Sequence, residues 1–171
     1  MKALKKIVEI ITDFLMMIVI IAIFFALYGL FQLKIQNKPY INYFGYTFFE
    51  VVSGSMAPTI NTYDLIIVKV DNNVAKNDIV TFYMDNNFIT HRIIDYINDK
   101  KILTKGDANN ATDKYIKKDM IIGKVIYNVP KFGIFKRVLT SPKVIISIFT
   151  TVILFTLAFS INVGKAVKDE K

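Results

Sequence analysis

Two long stretches without a charged residue constrain this chain more than any other feature. Residues 14–33 and 144–163 are each 20 residues long, and the first contains one strongly polar side chain, Gln32. A 20-residue helix is about 30 Å long, which matches the hydrocarbon thickness of a bilayer. The length, the absence of charge and the flanking lysines therefore predict two transmembrane helices rather than buried core helices. The lysines beyond their outer ends are Lys2, Lys5, Lys6, Lys165, Lys168 and Lys171.

The order of these runs predicts a membrane topology. The first run exceeds the roughly 7–15 apolar residues of a cleaved signal peptide, so we interpret it as a retained anchor. Two spans leave both termini on one side of the membrane, and their lysines favour the cytoplasm. We therefore predict a two-span protein of the cell membrane. Its parts are a cytoplasmic N-terminus at 1–13, a span at 14–33, an extracytoplasmic domain at 34–143, a span at 144–163 and a cytoplasmic C-terminus at 164–171.

The segment between the spans has the pattern of strands. Short runs rich in β-branched and aromatic residues alternate with Asp/Asn turns, such as the one at residues 85–87, and no helical periodicity separates them. We therefore predict a mostly β domain, flanked by an N-terminal and a C-terminal transmembrane helix. The predicted strands are residues 48–53, 65–70, 79–84, 88–96, 102–105 and 120–129.

Composition excludes several kinds of site. The chain has no cysteine, which excludes disulfides, thiolate metal sites and cysteine nucleophiles. It has one histidine, which excludes sites that need two imidazoles. The net charge of +8 is spread along the chain without a nucleic-acid-reading motif. We therefore predict no metal site, no cofactor and no nucleic-acid partner.

A few polar residues of the middle segment are able to carry chemistry. Ser53 and Ser55 lie on a predicted turn after a strand, where Gly54 permits a tight bend, although an ordinary Ser/Gly/Pro turn has the same pattern. A lone histidine in a strand is more often structural, but any histidine base in this chain must be His91. The loop after the fifth predicted strand carries two aspartates, which suit either Asx turns or the orientation of an imidazole.

Together these elements form an ordered set of motifs. They are S-G-S-M-A-P-T at residues 53–59, D-L-I-I-V-K at 64–69, D-I-V-T-F at 78–82, T-H-R-I at 90–93 and T-K-G-D-A-N at 104–109. The set resembles the characteristic boxes of type I signal peptidases over about residues 45–128. Because a histidine stands where the common bacterial form has lysine, the chain is similar to the Ser–His variant of that family. Ala57 departs from the glutamate that is common there, at a position that is not catalytic.

The resemblance implies roles for five residues. Ser55 corresponds to the nucleophile and His91 to the general base. Asp113 corresponds to the third member of the triad and Asp107 to a supporting acidic residue, and an exchange of the two aspartates stays open. From its position after Gly106 at a strand end, we expect Asp107 to hold the loop through backbone hydrogen bonds or a basic partner such as Lys105 or Arg92. Ser53 corresponds to the position whose hydroxyl completes the oxyanion hole with the backbone N–H of Ser55.

The resemblance also implies partners. The expected substrates are preprotein signal peptides, bound as an added strand beside residues 48–53, and the need for accessory subunits is left open. The second expected partner is the lipid bilayer, and Tyr43, Phe44 and Tyr46 are candidates for contact with it, although ordinary core packing accounts for such aromatic residues equally well. An amphipathic stretch at residues 129–139 is expected on the lipid surface, with Phe132, Ile134 and Phe135 in the lipid and its lysines on headgroups.

Two other classes of protein compete with this interpretation. The segment at 34–143 is also compatible with an inactive, membrane-tethered β module that binds a partner peptide. A self-cleaving repressor of related fold would need a lysine base and a DNA-binding domain, and anchors would have no purpose in it.

Overall fold

The computed structural model describes residues 2–98, 100–144, 146, 147, 150 and 151. Its first element is helix α1, Lys2–Lys34, and in the described part of the chain this is the one helix long and apolar enough to cross a membrane. The apolar stretch is Ile10–Lys34, with a hydropathy of 2.8, and 6% of its most apolar 18-residue window is buried, unlike a core helix. The predicted second span at 144–163 lies mostly outside the described residues.

The described residues contain one antiparallel sheet of seven strands, in the order β1-β2-β7-β3-β4-β5-β6. The prediction of a mostly β domain is confirmed, and β1 and β6 are the two edges of the sheet. A 3-10 turn, Lys118–Met120, and a short helix α2, Phe132–Leu139, are the helical elements that follow β6 and β7. The strands are β1 Tyr46–Glu50, β2 Leu65–Lys69, β3 Ile79–Met84, β4 Asn87–Asn98, β5 Lys101–Lys105, β6 Ile116–Lys117 and β7 Ile121–Val129.

The hairpin between β3 and β4 follows from its turn residues. Asp85 and Asn86 have φ values of 51° and 61°, in the left-handed region that short polar residues tolerate best after glycine. The predicted Asp/Asn turn at 85–87 is confirmed. Its register places His91 opposite Val80, in the middle of the sheet.

The first strand ends earlier than its sequence predicts. The β-prone run covers residues 48–53, whereas β1 is Tyr46–Glu50. Beyond β1 the backbone of Val51 bonds to a turn instead of a strand, with its N–H on the Asp64 carbonyl at 2.8 Å and its carbonyl accepting from the Tyr63 N–H at 2.7 Å. The ladder therefore stops, and the following residues are free to bend away from the sheet.

Two apolar clusters form the core, and one of them lies under that bend. Met56 and Ile60 are each 2% exposed and pack with residues of β2 and β7. Burial of one such side chain stabilises a fold by about 1.5–3 kcal/mol. The segment after Ser55 is therefore anchored, although it is neither strand nor helix. The second cluster joins β3, β4, β5, β6 and β7 through Val80, Phe82, Ile93, Ile102, Ile116 and Ile121.

Helix α2 is docked closely on the end of β1. The Lys131 N–H donates to Asp64 Oδ1 at 2.9 Å, and the Gly133 N–H donates to the Tyr63 carbonyl at 2.7 Å. A Cβ atom on Gly133 would lie 2.5 Å from Glu50 Oε1 and 3.0 Å from the Tyr63 carbonyl oxygen, so a side chain at this position would crowd both.

Helix α2 touches the domain with two of its basic side chains, which are themselves exposed. Lys136 Nζ lies 2.7 Å from Glu50 Oε2, and the guanidinium of Arg137 lies 4.7 Å from the centre of the Tyr63 ring. The Lys136 side chain is 57% exposed beside Glu50, so the expectation that the basic side chains face headgroups stays a prediction. The apolar side chains of the helix are also exposed, from 38% to 62%, and they are Phe132, Ile134, Phe135 and Val138.

Candidate active site

Ser53 and Ser55 lie on the turn that follows β1. The Ala57 N–H closes this turn by donating to the Gly54 carbonyl at 3.0 Å. The two serine hydroxyl oxygens are 3.3 Å apart, and both serines line the same cleft. The turn therefore presents two hydroxyls next to each other at the edge of the sheet.

The turn does not depend on the conformational freedom of Gly54. This glycine is outside the left-handed region, and a Cβ atom added to it would meet nothing within 4 Å. The bend arises instead from the end of the β1 ladder and from the anchored segment that follows it. The sequence expectation about Gly54 is corrected on this point.

His91 lies on β4 and is 7% exposed. Its Nδ1 atom is 2.5 Å from Asp113 Oδ2, across 22 residues of sequence. The ring of Phe82 packs edge-on against the imidazole, with 6.3 Å between the ring centres. Because Nδ1 is engaged by a carboxylate, Nε2 is the ring nitrogen available for proton transfer.

Asp113 is held from two sides by a single residue of β5. Thr104 donates its hydroxyl to Asp113 Oδ2 at 2.8 Å, and its carbonyl accepts from the Asp113 N–H at 2.8 Å. Thr104 is fully buried. The carboxylate that touches His91 is therefore fixed in both backbone and side chain. Sequence reasoning missed Thr104, although a polar residue on the same face of β5 as Ile102 is a signal for a buried hydrogen bond.

Asp107 has a different set of partners. Arg92 donates to it from Nε to Oδ1 at 2.8 Å and from Nη2 to Oδ2 at 2.6 Å. Thr59 donates its hydroxyl to Oδ2 at 2.7 Å. The hydrogen bonds from Arg92 lower the pKa of Asp107, and the carboxylate raises the pKa of Arg92 in return. Of the two basic partners expected for Asp107, it is Arg92 that binds it.

The loop that carries both aspartates also touches the backbone of Ser55. The Ala108 N–H donates to the Ser55 carbonyl at 2.9 Å. A Cβ atom on Gly106 would lie 2.6 Å from the same carbonyl oxygen, so glycine is required for this approach. The loop at residues 106–113 therefore links the serine turn to His91, because it contacts the Ser55 backbone and carries Asp113.

The cleft has a volume of about 520 Å³, within the usual range for ligand sites. Residues 49–53 form one wall and residues 86–91 the other, and the rings of Phe49 and Phe88 lie 4.7 Å apart between them. Ser55 and His91 both line this cleft. Ser55 Oγ forms a hydrogen bond with Ser53 Oγ. Hydrogen bonds between catalytic groups are often long or poorly aligned before substrate binds.

The cleft offers groups that suit acyl transfer. Two hydroxyls lie on one wall, and an imidazole backed by a carboxylate lies on the other. Among the residues that the structure describes, no group of three or more His, Cys, Asp and Glu side chains is placed to hold a metal ion.

Comparison with known proteins agrees with this chemistry. A family model described as Peptidase S24-like matches residues 32–126, more than half of the chain, and this range contains all five candidate residues. No curated protein matches the sequence.

Proposed function

This chain belongs to the Peptidase S24-like family and is therefore a serine peptidase by kind, and we propose that it removes signal peptides from exported preproteins as a membrane-bound endopeptidase. The observation that carries the proposal is the contact of His91 with Asp113 in the wall of the cleft that Ser55 also lines. A hydroxyl, an imidazole and a carboxylate in this arrangement are the parts of a serine-protease triad.

The proposed reaction begins at Ser55. Its Oγ attacks the scissile carbonyl carbon while His91 Nε2 accepts the hydroxyl proton. Asp113 on Nδ1 favours the required tautomer and stabilises the imidazolium that forms. His91 then gives the proton to the leaving amine, and a water molecule deprotonated by His91 hydrolyses the ester on Ser55.

The oxyanion of the tetrahedral intermediate needs two donors. The backbone N–H of Ser55 and the hydroxyl of Ser53 are the proposed pair. The proximity of the two serine hydroxyl oxygens, at 3.3 Å, supports this role for Ser53. Asp107 takes no part in proton transfer in this proposal, and it acts through Arg92 and Thr59 to hold the loop.

The strand edges beside the cleft support a peptide substrate. β1 is an edge strand, and β5 pairs with β4 only from Arg92 onward, which leaves residues 87–91 unpaired on that side. An extended peptide placed between these edges is able to bond as an added strand. The apolar side chains that line the cleft suit small apolar residues before the cut, as the resemblance implies, and they include Val51, Met56, Ile60, Ile66 and Ile89.

Two features support a position at the membrane. Helix α1 exposes its apolar side chains along the stretch Ile10–Lys34, which is long enough to span a bilayer. Helix α2 exposes its apolar side chains, and the predicted second span begins shortly after it. We therefore propose two spans, with the cleft on the extracytoplasmic side.

Incubation of detergent-solubilised protein with a preprotein, followed by mass spectrometry of the products, tests the function. We expect wild type to release the signal peptide, whereas Ser55→Ala and His91→Ala lose activity by orders of magnitude. Ser141→Ala, a serine outside the cleft, is the matched control and should cleave like wild type. Binding of the preprotein by wild type without cleavage would favour the inactive β module instead.

A further inference from the structure

The amide side chain of Gln32 fastens the C-terminal end of α1 to the segment that leads into the β domain. Gln32 is 1% exposed although it lies in an apolar and mostly exposed helix. Its Nε2 donates to the Asn42 carbonyl at 2.9 Å, and its Oε1 accepts from the Asn42 N–H at 3.0 Å. An amide at the membrane is costly unless both of its ends are bonded, and here both are satisfied by one backbone residue.

The same face of α1 is shaped for close contact one and two turns earlier. A Cβ atom on Gly29 would lie 2.9 Å from both Ile41 Cδ1 and the Tyr43 hydroxyl oxygen. The Tyr43 hydroxyl donates to the Phe25 carbonyl at 3.1 Å, and the rings of Phe25 and Tyr43 are 5.6 Å apart. Positions 25, 29 and 32 form one stripe of the helix, so three successive contacts act along one line.

The docked segment continues directly into the strand that leads to the serine turn. Tyr43 and Tyr46 exchange two backbone hydrogen bonds, of 2.8 and 3.0 Å, and the Val70 N–H donates to the Gly45 carbonyl at 2.8 Å. β1 begins at Tyr46 and is followed by the turn with Ser55. Hydrogen bonds of Asn42, Tyr43 and Gly45 therefore tie the connection between the apolar helix and the strand before the nucleophile.

We propose that α1 is a rigid mount, meaning that it holds the β domain in a fixed orientation relative to the bilayer. We further propose that Gln32 is a positioning residue for substrates held in the membrane. This proposal rests on the proposed function. In it, the two hydrogen bonds between Gln32 and the Asn42 backbone set the orientation of the cleft relative to the bilayer. A membrane-inserted substrate is itself restricted in depth and tilt, so the orientation of the cleft selects the peptide bond that reaches Ser55. A misplacement of about 1 Å is enough to cost 100-fold in rate.

Spin-label distances test the mount without any measurement of activity. The chain has no cysteine, so Ile20→Cys on α1 and Ile97→Cys on β4 give one unique pair of labels. In lipid nanodiscs we expect a narrow distance distribution for wild type and for Gln36→Met, an exposed glutamine one turn later. Gln32→Met should broaden it, because both hydrogen bonds of the amide to the Asn42 backbone are lost. An unchanged, narrow distribution in Gln32→Met would overturn the proposal, whatever the protein cleaves.

Cleavage of two substrates tests the positioning role. A short soluble peptide in detergent does not depend on helix orientation, so Gln32→Met should cut it at the wild-type rate. For a preprotein reconstituted in the same vesicles, we expect a rate about tenfold lower or more, with cleavage spread to neighbouring bonds. Equal losses on both substrates, or none on either, would refute Gln32 as a positioning residue. If wild type cuts neither substrate while the distances behave as expected, the proposed function fails and the mount stands.

Discussion

Arg92 holds Asp107 by two hydrogen bonds, one to each carboxylate oxygen, at 2.8 and 2.6 Å. The guanidinium therefore occupies both oxygens of this aspartate, in the bidentate manner that gives the strongest pairing. Asp113, on the same loop, contacts His91 instead. The two carboxylates consequently have separate partners, and substitutions at each should have separable effects.

Asp113→Asn should remove turnover and leave the fold intact. The amide keeps the shape of the side chain but favours the wrong tautomer of His91, for which a loss of about 10⁴-fold in kcat has precedent in another protease. Cleavage rate and Tm measured on the same preparation decide the matter. Near wild-type cleavage by this variant would exclude Asp113 as the orienting carboxylate.

Asp107→Asn should lower stability together with activity. It removes a charged hydrogen bond to Arg92, and loss of such a bond costs about 1–3 kcal/mol. For a domain of this size that corresponds to a fall in Tm of roughly 5–15 °C, measured by circular dichroism in detergent. A variant that is fully stable but inactive would reverse the roles assigned to the two aspartates.

The Asp107 carboxylate should also contribute to acid sensitivity. The hydrogen bonds from Arg92 hold its pKa below the ordinary value, so its contribution to stability is present above the unfolded pKa of about 3.9. That contribution is lost as the pH falls from there through the lower pKa of the folded state. Between about pH 5 and pH 2, the Tm of wild type should therefore fall more than that of Asp107→Asn. Asp119→Asn, at an exposed position, should follow wild type, and parallel curves for all three proteins would contradict the assignment.

Thr104→Val should impair catalysis through Asp113. Valine keeps the shape of this buried side chain but removes the hydroxyl that bonds to Asp113 Oδ2. We expect a drop of about tenfold in kcat, corresponding to about 1.4 kcal/mol, with KM unchanged. Thr104→Ser restores the hydroxyl and should recover most of the activity. A valine variant with wild-type kcat would show that Asp113 is oriented without Thr104.

Much of the fold was predictable because its signals are local. The turn at Asp85 and Asn86 and the flanking strands follow from residue preferences within a few positions. β7 lies between β2 and β3, and its partners in β2 are more than 50 residues away in sequence. No local periodicity encodes a pairing of that kind. The early end of β1 likewise depends on the turn at Tyr63 and Asp64.

The five candidate residues were named from motifs, and Arg92 was among the partners expected for Asp107, whereas the two partner threonines were missed. Thr104 and Thr59 act through hydrogen bonds to residues 9 and 48 positions away, and sheet geometry alone determines such contacts. Gln32 was noted as the polar residue of the first apolar run, but its bond to Asn42 required the chain reversal after α1. The catalytic roles of the five residues stay predictions that the proposed variants test.

The outward face of α2 leads to the last prediction. Lys136 forms an ion pair with Glu50, and the guanidinium of Arg137 lies over the Tyr63 ring. Phe135 is 62% exposed. Exposed apolar area of this kind is unfavourable in water and is typical of a surface that contacts lipid or protein. Because the chain approaches the predicted second span just after α2, we expect the bilayer to cover this face.

Tryptophan fluorescence tests this contact, since the chain contains no tryptophan. In vesicles, Phe135→Trp should give emission shifted to shorter wavelength and quenched by lipids with brominated acyl chains, because its side chain lies in the interface. Tyr115→Trp is the matched control, an exposed aromatic position beside β6, at the sheet edge opposite β1, and it should show neither effect. Equal quenching at both positions would indicate general association of the domain with lipid. Emission from Trp at position 135 that is unaffected by bromine would show that α2 does not meet the bilayer.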